Sequence, residues 1–365
     1  MLPDIVGPDP RVGASALLDA VVPVLADLRS LAEEIDVTGV KRQHVDALAR
    51  AGFLAAAAPT SQGGLGASGS VLRELHEQLA AASGSAWFVV TQHRASVEAA
   101  GSSPNPAVHE RWSRRLAAGT ALGAVSFAHL RRPGSPSVRA TADGDGWRFS
   151  GRLDWITSWG LADALLLMAE TDDGYVIQAL VDAEETAGLR ITGPLALAAM
   201  SGTSTVGAEL VEFPVDAEGV ACVVSKASWL ADDTYRTANA SPAVFGLLRA
   251  CLTGLQEIGE RRAAPEAVAL AHRWADEARQ LRAKAYALID GVAADEQLEE
   301  RVLLRAESLH LLQRATAALV TVRGGRAMMM DSAAQRWARE ALFLLVQAQT
   351  LPLRQNLLAL YSRFD

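Results

Sequence analysis

Gly151-Arg152-Leu153-Asp154-Trp155-Ile156-Thr157-Ser158-Trp159-Gly160-Leu161-Ala162-Asp163 is the stretch that decides how the rest of the chain is read. A strand-like apolar run with Trp147 and Phe149 ends at Gly151, and a second run covers Ala164 to Ala169. A tryptophan and a threonine are therefore expected to project from a sheet edge or bend. An indole face beside a hydroxyl suits a flat aromatic ligand, the first packing on its plane and the second hydrogen-bonding its polar rim. Taken alone, a Trp next to β-branched residues is more often sheet packing, so the flanking sequence has to decide.

Outward from this stretch the chain divides into three blocks. Residues 14 to 118 are rich in Ala, Leu, Glu and Arg with helical spacing, as in Val71, Leu72, Leu75 and Leu79, interrupted by the turn signals Pro59 and Gln62-Gly63-Gly64. From Ala121 to Val224 the pattern changes to short runs of Val, Ile, Phe and Thr. These follow turns such as Asp143-Gly144-Asp145-Gly146 and Asp172-Asp173-Gly174, which predicts antiparallel β structure. Helical spacing returns from Trp229 to Tyr361, broken at Pro265, Asp290-Gly291 and Gly324-Gly325. The α, β, α order follows from periodicity alone.

Composition bounds the function classes. At 365 residues with 50% apolar, the chain has room for two or three domains and a large core. No stretch has the length and apolarity of a spanning helix and no basic leader is visible, so a soluble cytoplasmic protein is expected, with no membrane partner. Cys222 and Cys251 form no CxxC, against a disulfide framework or a zinc site. The net charge of −8 is dispersed and disfavours nucleic acid. His272 and Asp276 share helical spacing and read as an exposed surface pair.

Residues 143–157, DGDGWRFSGRLDWIT, resemble the flavin-contacting strand of the acyl-CoA dehydrogenase superfamily, whose middle domain carries a W-I-T or W-I-S motif. The resemblance extends over nearly the whole chain. Residues 48–93 follow the family's pattern of a helix-ending Gly, a P-x-x-x-G-G-x-G turn and a long helix leading to His93. Residues 324–350 follow its Gly-Gly turn, R-x-x-R-[DE]-A helix start and closing E-G-T. The resemblance implies an α+β, acyl-CoA dehydrogenase-like fold: an N-terminal helical domain over 1–120, a middle antiparallel β-barrel or sandwich over 121–226, and a C-terminal four-helix bundle over 227–365. It implies FAD, an acyl thioester substrate and a homodimer or homotetramer.

It also assigns roles to residues. Ser126, Ala128, Trp155, Ile156, Thr157 and Thr350 are expected near the flavin, and Gly324 and Gly325 near the diphosphate and adenine of a neighbouring subunit's FAD. Arg261 and Arg262 stand where the family has an R-x-x-F-G sequence; adjacent arginines suit a phosphate or a solvated helix end. Thr321 replaces a Gln. The family's T-E-P-x-x-G-S-D loop is here Ser126 to Ser135, with Ala128 in the Thr place and His129 in the Glu place. Arg131 and Arg132 bring new charge to that loop, as solvated side chains or as an anion contact. His93, Arg236, Gln347 and Ala348 are expected in the substrate pocket.

The chemistry is where the chain departs most. Desaturating an acyl thioester requires a base for the α-proton while the β-hydrogen leaves as hydride to the flavin. Aligned from Arg339 and Glu340, the family's catalytic Glu falls on Ala348, which cannot accept a proton. Some relatives carry the base on the first long C-terminal helix, about ten residues before a G-L-x-R sequence, here Gly246 to Arg249. That position is Arg236, with Asp232 and Asp233 one turn upstream as alternatives. Glu340 matches a structural ion-pair position. Three readings follow: an acyl-CoA dehydrogenase-like FAD oxidoreductase performing α,β-desaturation, which is the one adopted; a flavin monooxygenase on the same scaffold; and a non-catalytic partner subunit.

Overall fold

The computed structural model describes residues 4–362. Its first part is helical: α1 Ala16–Ser30, α2 Ala32–Thr38, α3 Arg42–Arg50, α4 Gly69–Ala82, α5 Gly84–Thr91, α6 His93–Gly101, and two short helices, α7 Pro106–Val108 and α8 Arg114–Ala117. Serines place several of the starts. Ser15, Ser68 and Ser83 each accept from a backbone N–H of the first turn, at Leu18, Val71 and Ala86.

Eight strands follow: β1 Gly123–Ser126, β2 Val138–Asp143, β3 Gly146–Ile156, β4 Ala164–Glu170, β5 Tyr175–Asp182, β6 Leu189–Pro194, β7 Val206–Val215 and β8 Val220–Ser225. They form one sheet in the order β6-β7-β3-β2-β4-β5-β8, with β1 also on β4. Asp143-Gly144 turns the β2–β3 hairpin, closed by the pair Asp143↔Gly146, with Gly144 at φ 61°. The sheet is not wholly antiparallel as the turn signals suggest. β1 runs parallel to β4 over Gly123↔Ala164 to Ser126↔Leu167, because the chain crosses from β1 through two further strands before it returns to β4.

The last part comprises α9 Lys226–Ala238, α10 Pro242–Arg261, α11 Pro265–Gly291, α12 Leu298–Arg323, α13 Ala333–Val346 and α14 Leu351–Tyr361. Ser225 and Ser241 cap α9 and α10, the latter with Pro242 as first helical residue. Asp276 pairs with Arg279, not with His272.

The hydrophobic cores do not follow the sequence blocks. Val21, Leu48, Leu75 and Leu79 share one cluster with Phe245, Leu252, Leu312 and Leu353, so the two helical parts bury one core together. The sheet has a core on each face. β4 is buried along both: Ala164, Leu166 and Met168 pack with Trp112 and Leu116 of the helical side, while Leu165, Leu167 and Ala169 pack with Phe149, Ile156 and Val206. That is why its sequence is apolar without alternation.

Candidate functional site

A bulge in β3 exposes Trp155. Leu153 pairs with Ala208 and Ile156 with Val206, so β3 takes one more residue than β7 between the same two rungs. Leu153 and Ile156 both stay in the core while Trp155 is turned out, 48% exposed. Bulges at sheet ends re-aim side chains in this way. Ile156 therefore supports the strand from within and does not face solvent.

Thr157, just beyond β3, is buried and hydrogen-bonded inward. Its Oγ1 lies 3.0 Å from Thr205 Oγ1, which lies 2.8 Å from Thr203 Oγ1, and Thr203 donates to the Met200 carbonyl at 2.7 Å. Around it Ser158, Met200 and Ser204 hold φ values of 70°, 56° and 50°. Left-handed backbone costs non-glycine residues about 1–3 kcal/mol each and gathers where a site needs a fixed geometry. It is held here by Ser158 N–H to Thr203 O and Trp159 N–H to Ser204 O, both 3.0 Å.

From Asp154, the chain neighbour of Trp155, ion pairs and hydrogen bonds joined by adjacent residues lead to Ala348. Asp154 pairs with Arg132. Arg131 grips both oxygens of Asp233 through Nε and Nη2 at 2.7 Å, and its guanidinium lies 5.1 Å from the Phe127 ring centroid. Both loop arginines are thus ion-paired, Arg131 half-buried against Asp233 and Arg132 exposed to solvent beside Asp154. Thr237 Oγ1 donates to the Asp233 carbonyl at 2.7 Å. Arg305 of α12 then donates to the carbonyls of Thr237, of Gln347 at 2.8 Å and of Ala348 at 3.2 Å.

Arg305 escapes a reading of the sequence, where a charged residue in a long helix passes for a solvated one. It is buried, burial and the nearby Arg131 lower its pKa to about 10, and it remains a cation at neutral pH. No carboxylate lies within ion-pair distance among the described residues; the carbonyl ends of α9 and α13 supply the compensating partial charges. Its clamp holds Ala348 at φ 50°. Gln347 caps the end of α13, and Thr350 is the N-cap of α14, accepting from Leu353 N–H.

The other expected pocket residues stand apart. His93 accepts from Gly123 N–H at Nδ1, 3.0 Å, so Nε2 bears the proton and donates to the Leu116 carbonyl at 3.1 Å. Burial lowers its pKa to about 4. With both nitrogens engaged it ties α6 to β1. His129 is similar, its Nε2 2.8 Å from the Met168 carbonyl and its pKa lowered by burial to about 4. Ser126 is buried in β1 and Ala128 exposed on the turn that follows. Arg236 lies on α9, which ends before the α10 helix that carries Gly246 to Arg249, and it pairs with Glu98 at 3.4 Å. Glu98 also binds Arg94 at 2.6 Å. Asp232 is exposed.

A second corner gathers the residues expected near phosphates. Gly324 has φ 69°, and a Cβ built there would lie 3.5 Å from Arg262 Nη1, so the arginine lies against the glycine turn. Gly325 faces open space. Arg261 is turned back, its Nε on the Glu257 carbonyl at 3.2 Å. A cleft of about 450 Å³ lined by Asn105, Trp147 and Cys222 lies at the hairpin end of β3, away from both corners. No group of three or more His, Cys, Asp or Glu side chains able to hold a metal, and no helix long and apolar enough to cross a membrane, occurs among the described residues.

No family model and no curated protein matches the sequence. Solved structures do match the fold. Glutaryl-CoA dehydrogenase from Mycobacterium smegmatis superposes with a TM-score of 0.79 at 18% identity, covering 97% of this chain and 97% of its own. Butyryl-CoA dehydrogenase from Megasphaera elsdenii gives 0.77 at 18% identity, covering 95% and 97%. KijD3, solved with FMN and a dTDP-linked amino-keto sugar, gives 0.76 at 17% identity, covering 100% and 97%. The likeness at these identities is one of architecture carried end to end, through both helical parts and the sheet between them: this chain has the acyl-CoA dehydrogenase fold.

Proposed function

We propose that the chain is a flavin-dependent oxidoreductase that binds FAD. The observation that carries this is the bulge that turns Trp155 out of β3, at the strand end where the sequence resembles the flavin strand. The residues fit the group: an exposed indole for the ring, a strained and hydrogen-bonded Thr157 segment beside it, and a separate cationic glycine turn at Arg262, Gly324 and Gly325 for phosphates. That second corner favours FAD over FMN. When bound, the flavin supplies two-electron transfer; the chain supplies its packing surface, its polar rim contacts and its charge.

An acyl thioester remains a candidate substrate, as in the two acyl-CoA dehydrogenases named above. One observation favours the monooxygenase reading over desaturation. Ala348 stands in the base position, Asp233 is held in a two-point ion pair by Arg131, and Glu98 lies between Arg94 and Arg236. Both carboxylates are already occupied by arginines. Oxygen activation by a flavin reduced with a nicotinamide needs no α-proton base. The structural likeness to KijD3, solved with FMN and a nucleotide sugar, is in line with substrates other than acyl thioesters on this scaffold.

The test begins with colour. Purified protein is expected to be yellow, or to become so with FAD, and Thr157→Val to loosen the flavin or shift its reduction potential, by about 1 kcal/mol for one lost neutral hydrogen bond. Colourless protein that cannot be reconstituted supports the non-catalytic reading.

The chain is also proposed to be a homodimer or homotetramer. Met328, Met329 and Met330, with Leu342 and Val346 of α13 and Leu351 and Leu358 of α14, are all at least half exposed. So much apolar surface on one stretch of chain marks an interaction face, and it begins a few residues after the Gly324-Gly325 turn. Light scattering is expected to give at least twice the 38.6 kDa chain mass; Leu342→Glu with Val346→Glu is expected to lower it. A wild-type monomer that holds FAD tightly would remove this part of the proposal.

A further inference from the structure

We propose that the seam between the free edge of β8 and the β2–β3 hairpin is a docking site for an extended, basic segment of a partner protein, which adds to the sheet as a further strand.

β8 ends the sheet and pairs only with β5. Its phase is set where it leaves the ladder. Lys226 N–H donates to the Gly174 carbonyl at 2.8 Å, while Tyr175, opposite Ser225, spends its carbonyl on Thr171 N–H and its own N–H on Thr171 Oγ1. Bonded and non-bonded pairs alternate along an antiparallel ladder. Val224 and Cys222 therefore bond to β5, and Val223 N–H, Val223 C=O and Ser225 N–H turn away from it. None of these three groups has a hydrogen-bond partner among the described residues. The upstream half of the same edge is closed: Ser103 donates to the Ala221 carbonyl at 2.7 Å, Asn105 to that of Val220 at 2.9 Å, and the register shifts between Gln178 and Ala179. The other outer strand, β6, carries Arg190 and ends at Gly193-Pro194. Covers, bulges, charges and prolines of this kind keep sheet edges from pairing. Val223 has none of them and is 48% exposed.

The space beside the edge suits a chain. The cleft of about 450 Å³ is lined by Val223 and Cys222 of β8 and by Trp147 and Asp145 of the hairpin. Val223 pairs with Ile177, which lies in the core that Trp147 packs against. Cross-strand partners share a face of the sheet, so alternate side chains of an added strand extend that core toward the Trp147 indole. Charge decides which segment fits. Asp145 lines the cleft, and Asp216 and Glu218 stand on the short connection from β7 to β8; all three are exposed, with no ion-pair partner among the described residues. A Cβ built on Gly146 would lie 3.3 Å from Asp216 Cα, which places Asp216 beside the hairpin turn. The nearby Arg148 is already taken by Asp143 at 2.7 Å. Lysines or arginines alternating with apolar residues complement such a rim and such a floor.

Fluorescence anisotropy of a labelled, amidated Lys-Val-Lys-Val-Lys peptide, titrated with the whole chain as purified, tests this. Saturable binding is expected, and none for Glu-Val-Glu-Val-Glu. Val223→Pro deletes the outward N–H without taking a bond from the β5 ladder, since proline is tolerated on an edge strand where its nitrogen faces out. It is expected to weaken binding about ten-fold, as is Trp147→Ala. The same basic peptide N-methylated at every backbone amide keeps its charge and side chains but has no donor, and is expected not to bind wild type; this arm reads strand addition even if Val223→Pro does not fold. No saturable binding of the basic peptide overturns the proposal. So does unchanged affinity on N-methylation or in a folded Val223→Pro variant, which is charge adsorption to the acidic rim alone, and so does equal binding of the acidic peptide.

Discussion

Offered a straight-chain acyl-CoA, the wild-type protein will reduce its bound flavin slower than its Ala348→Glu variant by about 10²–10⁴-fold, the usual worth of a positioned general base. The aligned base position carries a methyl group, and the nearby carboxylates are either held by arginines or turned to solvent. Asp233 meets Arg131 through both oxygens at 2.7 Å, Glu98 is shared between two arginines, and Asp232 is exposed. The variant is structurally modest. Ala348 already holds φ 50°, so glutamate meets the same backbone demand that alanine does, and Arg305 keeps the carbonyls of 347 and 348 in place. Stopped-flow bleaching of the flavin band measures both proteins. Asp233→Asn is expected to leave the slow wild-type rate unchanged. If wild type is fast and Asp233→Asn abolishes the reaction, the base has been relocated to α9 and the desaturase reading is restored.

What the sequence made legible and what it hid divide by range. Local signals carried the outline: the Asp-Gly hairpin, the serine caps, and the Pro and Gly breaks between long helices are each set within a few residues. The W-I-T motif was equally local. The bulge beneath it was not, because the register slip is defined against Ala208 and Val206 on a strand about fifty residues later. The hydroxyl chain has the same origin, since Thr157 and Thr205 are 48 residues apart. Periodicity suggested an antiparallel sheet because turn residues announce hairpins, while the parallel partnership of β1 with β4 leaves no mark near either strand. His93 was expected at a ligand pocket from its place in a pattern; its two backbone partners, at 116 and 123, make it a neutral strut. Arg131 and Arg132 were visible as charges, but only the fold supplies Asp233 and Asp154. Arg305 is the sharpest case. Its partners are backbone carbonyls, and these carry no sequence signature at all.

The same blindness to buried charge underlies the last prediction: Arg249→Met will destabilise the protein by about 3–5 kcal/mol, the usual cost of removing one partner from a buried ion pair. Arg249 of α10 joins Glu74 at 2.8 Å, Glu77 at 3.1 Å and Asp4 at 2.6 Å. Glu77 is fully buried and also takes Arg282 at 3.0 Å and the Tyr286 hydroxyl at 2.7 Å. The helices meet closely here; a Cβ on Gly246 would lie 2.0 Å from the Glu77 carbonyl, so the site cannot open easily to water. Burial disfavours the Arg249 charge, yet the surrounding carboxylates hold its pKa above the ordinary value, and burial pushes Glu77 up despite its arginines. Removing Arg249 takes away an opposing charge and pushes Glu77 further up. A carboxyl whose folded pKa lies above its unfolded value of 4.5 favours the folded state below that value, and the advantage is lost as pH rises through the folded pKa. The deficit of Arg249→Met is therefore expected to be smallest near pH 5 and to grow toward neutrality, and Glu77→Gln added to it is expected to recover part of the loss at pH 7. Urea unfolding across that range measures both. A deficit that is flat with pH, or below about 1 kcal/mol as for an exposed pair, would show that water reaches the cluster and that the two helical parts are not joined through buried charge.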